Sequence, residues 1–222
     1  MRLRVVLAGL ATVGLLAGCG QLDAQTPRAD TGKAPSADVG DARKKLAKLA
    51  VKGRAPRTGF EREKFGPAWS DVDHNGCDTR NDILKRDLKD EKFKSGTHDC
   101  IVLSGVLDDP YSGKTITFKR GQDTSTAVQI DHIIPLSDAW QKGAQQWTAD
   151  KRKEFANDPM NLMAVDGPLN GQKSDSDAAT WLPPRKAYRC TYIAKQIDVK
   201  AKYGLWLTTG EKDAMDGILD SC

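Results

Sequence analysis

Val5 to Ala17 is an apolar run of thirteen residues, short of the ~20 that cross a bilayer as a helix. Gly20 to about Gly40 has no apolar period and is rich in Gly, Ala, Pro, Asp and Thr, the composition of a flexible tether. From Asp41 to Lys52, Ala42, Leu46, Leu49 and Ala50 recur at helical spacing, with Lys44, Lys45 and Lys48 on other faces. This predicts a basic amphipathic helix, able to lie on anionic lipid or, more simply, to cap the domain that follows.

From about Thr58 onward the pattern is that of one compact domain without internal repeats. Asn81 to Phe93 predicts a charged helix with Ile83, Leu84 and Leu88 inward. The apolar run Cys100 to Leu107 and the alternating Lys114 to Phe118 flank Asp108-Asp109-Pro110-Tyr111-Ser112-Gly113, which predicts a β-hairpin. Ala127 to Ile134 is a β-rich run ended by Pro135. Helices are expected at Ser137 to Gly143 and Thr148 to Ala156. A short strand should cover Asn161 to Val165, with a turn at Asp166-Gly167-Pro168 and a polar helix from near Asn170. Tyr192, Ile193, Ile197 and Ala201 form a helical stripe, and Thr208 with Glu211 is a capping box for the last helix. The class is α+β, a mostly helical single domain with few strands.

A chain of 222 residues that is 39% hydrophobic and 29% charged is neither wholly disordered nor a polytopic membrane protein. Its net charge of +4 suits an anionic partner without demanding one. Arg2 and Arg4 before the short apolar run mark a secretory signal. The run closes on Leu16-Ala17-Gly18-Cys19, which resembles the lipobox of bacterial lipoproteins. That resemblance implies cleavage after residue 18, a lipid on Cys19, and an anchor on the outer side of the cell membrane; an unused lipobox would leave a secreted protein. The divisions are then a signal peptide at 1–18, a tether at 19–42 and a domain at 43–222. Cleavage removes two of the 34 cationic side chains and none of the 30 acids, leaving +2.

Lipidation of Cys19 leaves Cys77, Cys100, Cys190 and Cys222. In an oxidising compartment an even set reads as two disulfides. Three pairings are open, of which the local one, Cys77–Cys100 with Cys190–Cys222, is preferred. A four-cysteine zinc site would need the short spacings that this set lacks.

The chemistry concentrates in Gln129-Ile130-Asp131-His132-Ile133-Ile134-Pro135, Asn161-Leu162-Met163-Ala164-Val165 and Asn170-Gly171-Gln172-Lys173-Ser174-Asp175. Asp131 and His132 interrupt an apolar strand, where burying them unpaired would be costly. Neighbours on a regular strand face opposite ways, so the strand must bend or end near them if both serve one site. A carboxylate and an amide oxygen are hard ligands suited to Mg²⁺ or a similar cation, and His132 can then be the base. This strand–strand–helix order resembles the ββα-metal fold of HNH endonucleases. Asp131-His132 matches the motif's start, Asn161 its central Asn and Asn170 its helix residue. The nine-residue step between those asparagines is also similar to the HNH domain of RNA-guided nucleases.

Beyond the motif, Arg54 to Cys222 resembles a family of small secreted HNH nucleases. The shared features are Asn75-Gly76-Cys77-Asp78-Thr79-Arg80-Asn81-Asp82, Asp109-Pro110-Tyr111, Phe155-Ala156-Asn157-Asp158-Pro159 and Trp181-Leu182-Pro183-Pro184. The resemblance implies phosphodiester hydrolysis of nucleic acid, DNA foremost, by a monomer. In that scheme His132 is the general base, one Mg²⁺ or Mn²⁺ sits on Asp131 and Asn170, and Asn161 pins the loop that aims His132. Ending the motif on Asn170 rather than His disfavours zinc and nickel.

Three weaker signals accompany this. Lys173 is placed to touch phosphate, or else to be a solvated surface lysine. Arg80 is a second phosphate candidate. Asp71, Asp73, Asn75 and Asp82 sit at EF-hand spacing and suggest a second site for Ca²⁺, against a plain acidic turn. The five tryptophans read mostly as core. The competing function is a non-catalytic surface lipoprotein that binds nucleic acid or another anion on the same scaffold.

Overall fold

The computed structural model describes residues 36–222. Within it α1 (Ser36–Leu46) begins earlier and stops sooner than the Asp41–Lys52 periodicity predicts. The boundary of the expected tether at 42 therefore falls inside a helix, because Ala42 and Leu46 are buried, 3% and 1% exposed, against the C-terminal helices. The expected signal peptide, Cys19 and the rest of the tether lie outside the described residues.

The single helix expected over Asn81–Phe93 is two elements, α2 (Thr79–Asp87) and β1 (Lys89–Phe93). Asp78 caps α2, accepting from the Asn81 backbone N–H at 2.8 Å. After Leu88 the charged Lys89-Asp90-Glu91-Lys92 pairs antiparallel with β2 (Val102–Asp108) in an irregular register. Charges are common on such an edge strand, so composition alone cannot separate it from a solvated helix. β2 also pairs antiparallel with β3 (Thr115–Lys119), which completes a three-stranded sheet.

A second, two-stranded antiparallel sheet joins β4 (Val128–His132) to β5 (Leu162–Asp166), with Asp131 opposite Met163 and His132 opposite Leu162. Between these strands run α3 (Leu136–Gln141) and α4 (Ala149–Asn157). α5 (Gly167–Lys173) follows β5 directly. The expected turn at Asp166-Gly167-Pro168 is the first turn of α5: Asp166 caps it, accepting from the Leu169 N–H at 2.8 Å, and Pro168 occupies a position that needs no donor. Gly167 is obligatory there, since a Cβ would lie 1.9 Å from the Thr126 carbonyl oxygen.

α6 (Arg189–Tyr203) and α7 (Thr209–Asp220) close the chain. Thr208 accepts from the Glu211 N–H at 3.2 Å, but the Glu211 side chain does not complete the expected capping box. It joins a buried ionic cluster instead. Lys142 contacts Asp138 at 2.7 Å, Asp177 at 2.8 Å and Glu211 at 2.7 Å, Lys200 contacts Glu211 at 2.8 Å, and Arg54 reaches Asp138 and Asp177. Three cations face three anions, which is how such deeply buried charge is tolerated. On α6 the inward position is accordingly Lys200, while Ala201 is exposed.

The β4–β5 pair lies where three apolar clusters meet. Val128 and Ile130 pack with the three-stranded sheet and α2, Ile133, Met163 and Val165 with α1, α6 and α7, and Ile134 with α3 and α4. Disulfides join Cys77 to Cys100 and Cys190 to Cys222. Among the described residues no helix is long and apolar enough to cross a membrane. The architecture is α+β, with the strand–strand–helix unit β4–β5–α5 set among helices.

Candidate active site

β4 ends at His132, and the end of the strand allows its last two side chains to border one cleft. Asp131 shares its strand face with Met163 and points toward Tyr111, which is fully buried and donates its hydroxyl to Oδ2 at 2.5 Å. Lys173 donates to Oδ1 at 3.0 Å and to the His132 carbonyl at 2.8 Å. Burial raises the Asp131 carboxyl above its ordinary range despite the opposing Lys173 and Tyr111. Burial and the neighbouring Asp131 hold the Tyr111 hydroxyl protonated, well above its usual value.

His132 points to the other side, where its Nε2 lies 2.9 Å from the Ala156 carbonyl oxygen. A carbonyl can only accept, so Nε2 carries the proton and Nδ1 keeps a lone pair. Burial, with Arg62 and Lys173 nearby, pushes the imidazole down to about 3, against the raising effect of the Ala156 carbonyl. It is therefore neutral at physiological pH. Asn161 is fully buried and clamps the following loop: its Oδ1 accepts from the Ile134 N–H at 2.8 Å, its Nδ2 donates to the Ile134 carbonyl at 3.3 Å, and its own carbonyl accepts from Ile133 N–H. Its side-chain hydrogen bonds go to backbone alone and hold the loop after His132.

Asn170 donates from Nδ2 to Gln129 Oε1 at 2.8 Å, which leaves its Oδ1 without a donor among the described residues. A polar cavity of about 210 Å³ is lined by Arg62, Asp131, His132, Asn170, Ser174 and Asp175. A larger, mostly apolar cavity of about 450 Å³ adjoins it, walled by Phe65, Trp69, Leu136, Ala156 and Asn157. His132 and Arg62 border both. His132 is only 8% exposed, yet it lines both cavities.

Hard oxygens are what a small divalent cation requires, and Asp131 and Asn170 offer them on one cavity. Lys173 takes one lone pair of Asp131 Oδ1 and Tyr111 one of Oδ2, so a cation there would have to use the lone pairs that remain, with Asn170 Oδ1 and water completing its shell. Among the described residues no three His, Cys, Asp or Glu side chains are grouped to hold a metal. In the Asp71–Asp82 loop the carboxylates gather instead on Asn75, whose Nδ2 donates to Asp73 at 3.1 Å and Asp82 at 3.2 Å. Asn75 Oδ1 accepts from the Cys77 N–H at 2.7 Å, and Ca²⁺ there would require that side chain to turn.

One expectation is corrected. Lys173 is fully buried in its pairing with Asp131, so it is neither a surface lysine nor free for phosphate. Arg80 stacks over Phe118 at 5.8 Å and borders neither cavity. Four residues join the site that no sequence motif assigned to it: Arg62, Trp69, Tyr111 and Asn157. Tyr111 and Asn157 lie in segments already noted as shared features, whereas Arg62 opens a single 3-10 turn, Arg62–Phe65, and Trp69 follows in a loop, both too short to leave a periodic signal. Trp69 adopts φ +59°, a strained conformation for a bulky residue. It stacks nearly parallel to His132, with ring centres 6.1 Å apart.

The shared sequence features now have structural roles. Asp109 in the hairpin turn accepts from the Asp166 N–H at 2.9 Å, tying Tyr111 to the end of β5. Ala156 supplies the His132 acceptor, and Trp181 packs edge-on to Tyr111.

An uncharacterized secreted protein of Arthroderma benhamiae is 37% identical to this chain over 190 residues, covering 85% of this chain and 87% of that protein. No solved structure matches the chain. The family described as GmrSD restriction endonucleases, C-terminal domain, matches residues 78–217, which include the whole β4–β5–α5 unit. By that match over more than half its length, the chain belongs to the GmrSD C-terminal domain family, a family of nucleases.

Proposed function

We propose that the protein is an exported, HNH-type, metal-dependent endonuclease that hydrolyses phosphodiester bonds in DNA or a related nucleic acid. The observation that carries this reading is the neutral His132 with its Nε2–H held by Ala156, bordering a polar cavity together with Asp131 and Asn170. In this scheme Nδ1 of His132 removes a proton from the attacking water. Asp131 and Asn170 hold one Mg²⁺ or Mn²⁺, which would supply charge stabilisation at the phosphate and the leaving oxygen. Asn161 fixes the loop after His132, Lys173 and Tyr111 fix the Asp131 carboxylate, and Arg62 offers a guanidinium to phosphate.

Export is supported by the name of the fungal relative and by the two disulfides. Lipidation of Cys19 follows from the lipobox alone. A Cys19→Ser change should release the protein from membranes, and wild-type protein found free in the medium would remove the anchor.

Purified protein, incubated with plasmid or single-stranded oligonucleotide and Mg²⁺ or Mn²⁺, should degrade the substrate and stop doing so in EDTA. His132→Ala should lose a factor on the order of 10²–10⁴. Equal degradation by the variant would end the assignment of His132. Binding without cleavage under every metal would leave a nucleic-acid-binding lipoprotein on a nuclease scaffold.

A further inference from the structure

We propose that the apolar cavity beside His132 receives an unpaired nucleobase from the nucleotide next to the scissile phosphate, which makes single-stranded nucleic acid, or a base turned out of a duplex, the substrate class. The proposal rests on the nuclease reading and extends it. At about 450 Å³ the cavity falls in the range of small-ligand sites and has room for one base with part of its sugar.

Its wall carries the groups a base would use. Trp69 presents an aromatic surface of the kind on which single-stranded bases stack irrespective of sequence. Asn157, on the same wall, is 1% exposed and its Oδ1 has no hydrogen-bond partner. Its Nδ2 is held by the Lys153 carbonyl at 2.9 Å, which fixes the amide. That oxygen is sealed from solvent, so Asn157 shapes the wall and Trp69 supplies the contact with the base.

The placement follows from the shared wall. His132 and Arg62 border both cavities. A phosphate at the polar cavity therefore sets its own nucleoside beside the apolar one. The Arg62 guanidinium has no carboxylate within ion-pair distance among the described residues and borders the junction where the phosphate would lie. A base held in a stacked, paired duplex could not enter, and extruding it carries an energetic penalty that single strands avoid.

The test compares ligands with and without the base. By calorimetry, dAMP should bind at least about fivefold more tightly than deoxyribose 5-phosphate, the lower end of one base–aromatic stack. Trp69→Ala should abolish that preference and Trp69→Phe should restore most of it, with circular dichroism confirming the fold of each. In a single-stranded oligonucleotide carrying one abasic residue, wild-type cleavage beside that residue should fall by a similar factor. Equal binding of the two ligands, or undiminished cutting beside the abasic residue, overturns the pocket. Failure to cut any substrate while the dAMP preference persists overturns the nuclease reading and keeps the pocket. Efficient cutting without abasic discrimination does the reverse.

Discussion

Tyr111, in the turn of one hairpin, donates its hydroxyl to Asp131 at the end of a strand in a different sheet. The carboxylate proposed to hold the cation is therefore oriented by a residue twenty positions earlier, carried on the hairpin and tied down by Asp109. Tyr111→Phe deletes that donor while keeping the ring. It should cost about 1.5–3 kcal/mol, the range for a hydrogen bond to a charged group, read as a shift in urea midpoint at constant slope. Nuclease activity should fall with it, because Asp131 loses its orientation.

Lys173 is the buried counter-charge to Asp131. Lys173→Met strands a carboxylate in the interior and should destabilise the fold by about 3–5 kcal/mol. Adding Asp131→Asn should recover part of that loss, since neither charge then remains. A double-mutant cycle in urea measures the coupling, and strictly additive effects would show that the pair does not act as a unit.

Gly167→Ala forces a Cβ onto the Thr126 carbonyl at 1.9 Å. α5 must then move at the end that sets the position of Asn170. The expected outcome is a lower melting temperature together with weaker activation by Mg²⁺, which a metal titration of initial rates would detect.

The ionic cluster sets a pH window. Burial alone would raise the Asp177 carboxyl, but Lys142, Arg54 and Thr180 outweigh it and hold it below 3.8. A lowered carboxylate contributes its stability above its unfolded value and loses it as pH falls through the folded one. Lys142 behaves oppositely: Asp138 and Glu211 overcome its burial and raise it above 10.5, so its contribution is complete below that value and disappears as pH rises through the folded one. The stability difference between wild type and Asp177→Asn should be level from about pH 5 to 9 and shrink below about pH 4. A difference unchanged at pH 3 would show that Asp177 is not held low.

The α+β character was legible because alternation and turn chemistry in Cys100–Phe118 and the run ending at Pro135 are local signals. Asp131 and His132 could be named because polar residues in an apolar strand attract notice, and Asn170 because it matches the helix position of the HNH motif; all three line one cavity. β1 was not legible, because a charged edge strand has the composition of a solvated helix. The burial of Lys173, Lys142 and Lys200 was not legible either: a lysine is hidden only when distant acids meet it, as Glu211 does from α7. Trp69 lies in a loop and Arg62 in a four-residue 3-10 helix, where no period indicates direction.

β4 sends Asp131 toward the hairpin turn and α5, and His132 toward α4. The two halves of the site consequently answer to different parts of the chain. Substitutions around Trp69 and Asn157 can retune which ligands are admitted while the surroundings of the Asp131 carboxylate stay as they are. An engineer seeking altered selectivity would begin on the imidazole's side of that strand.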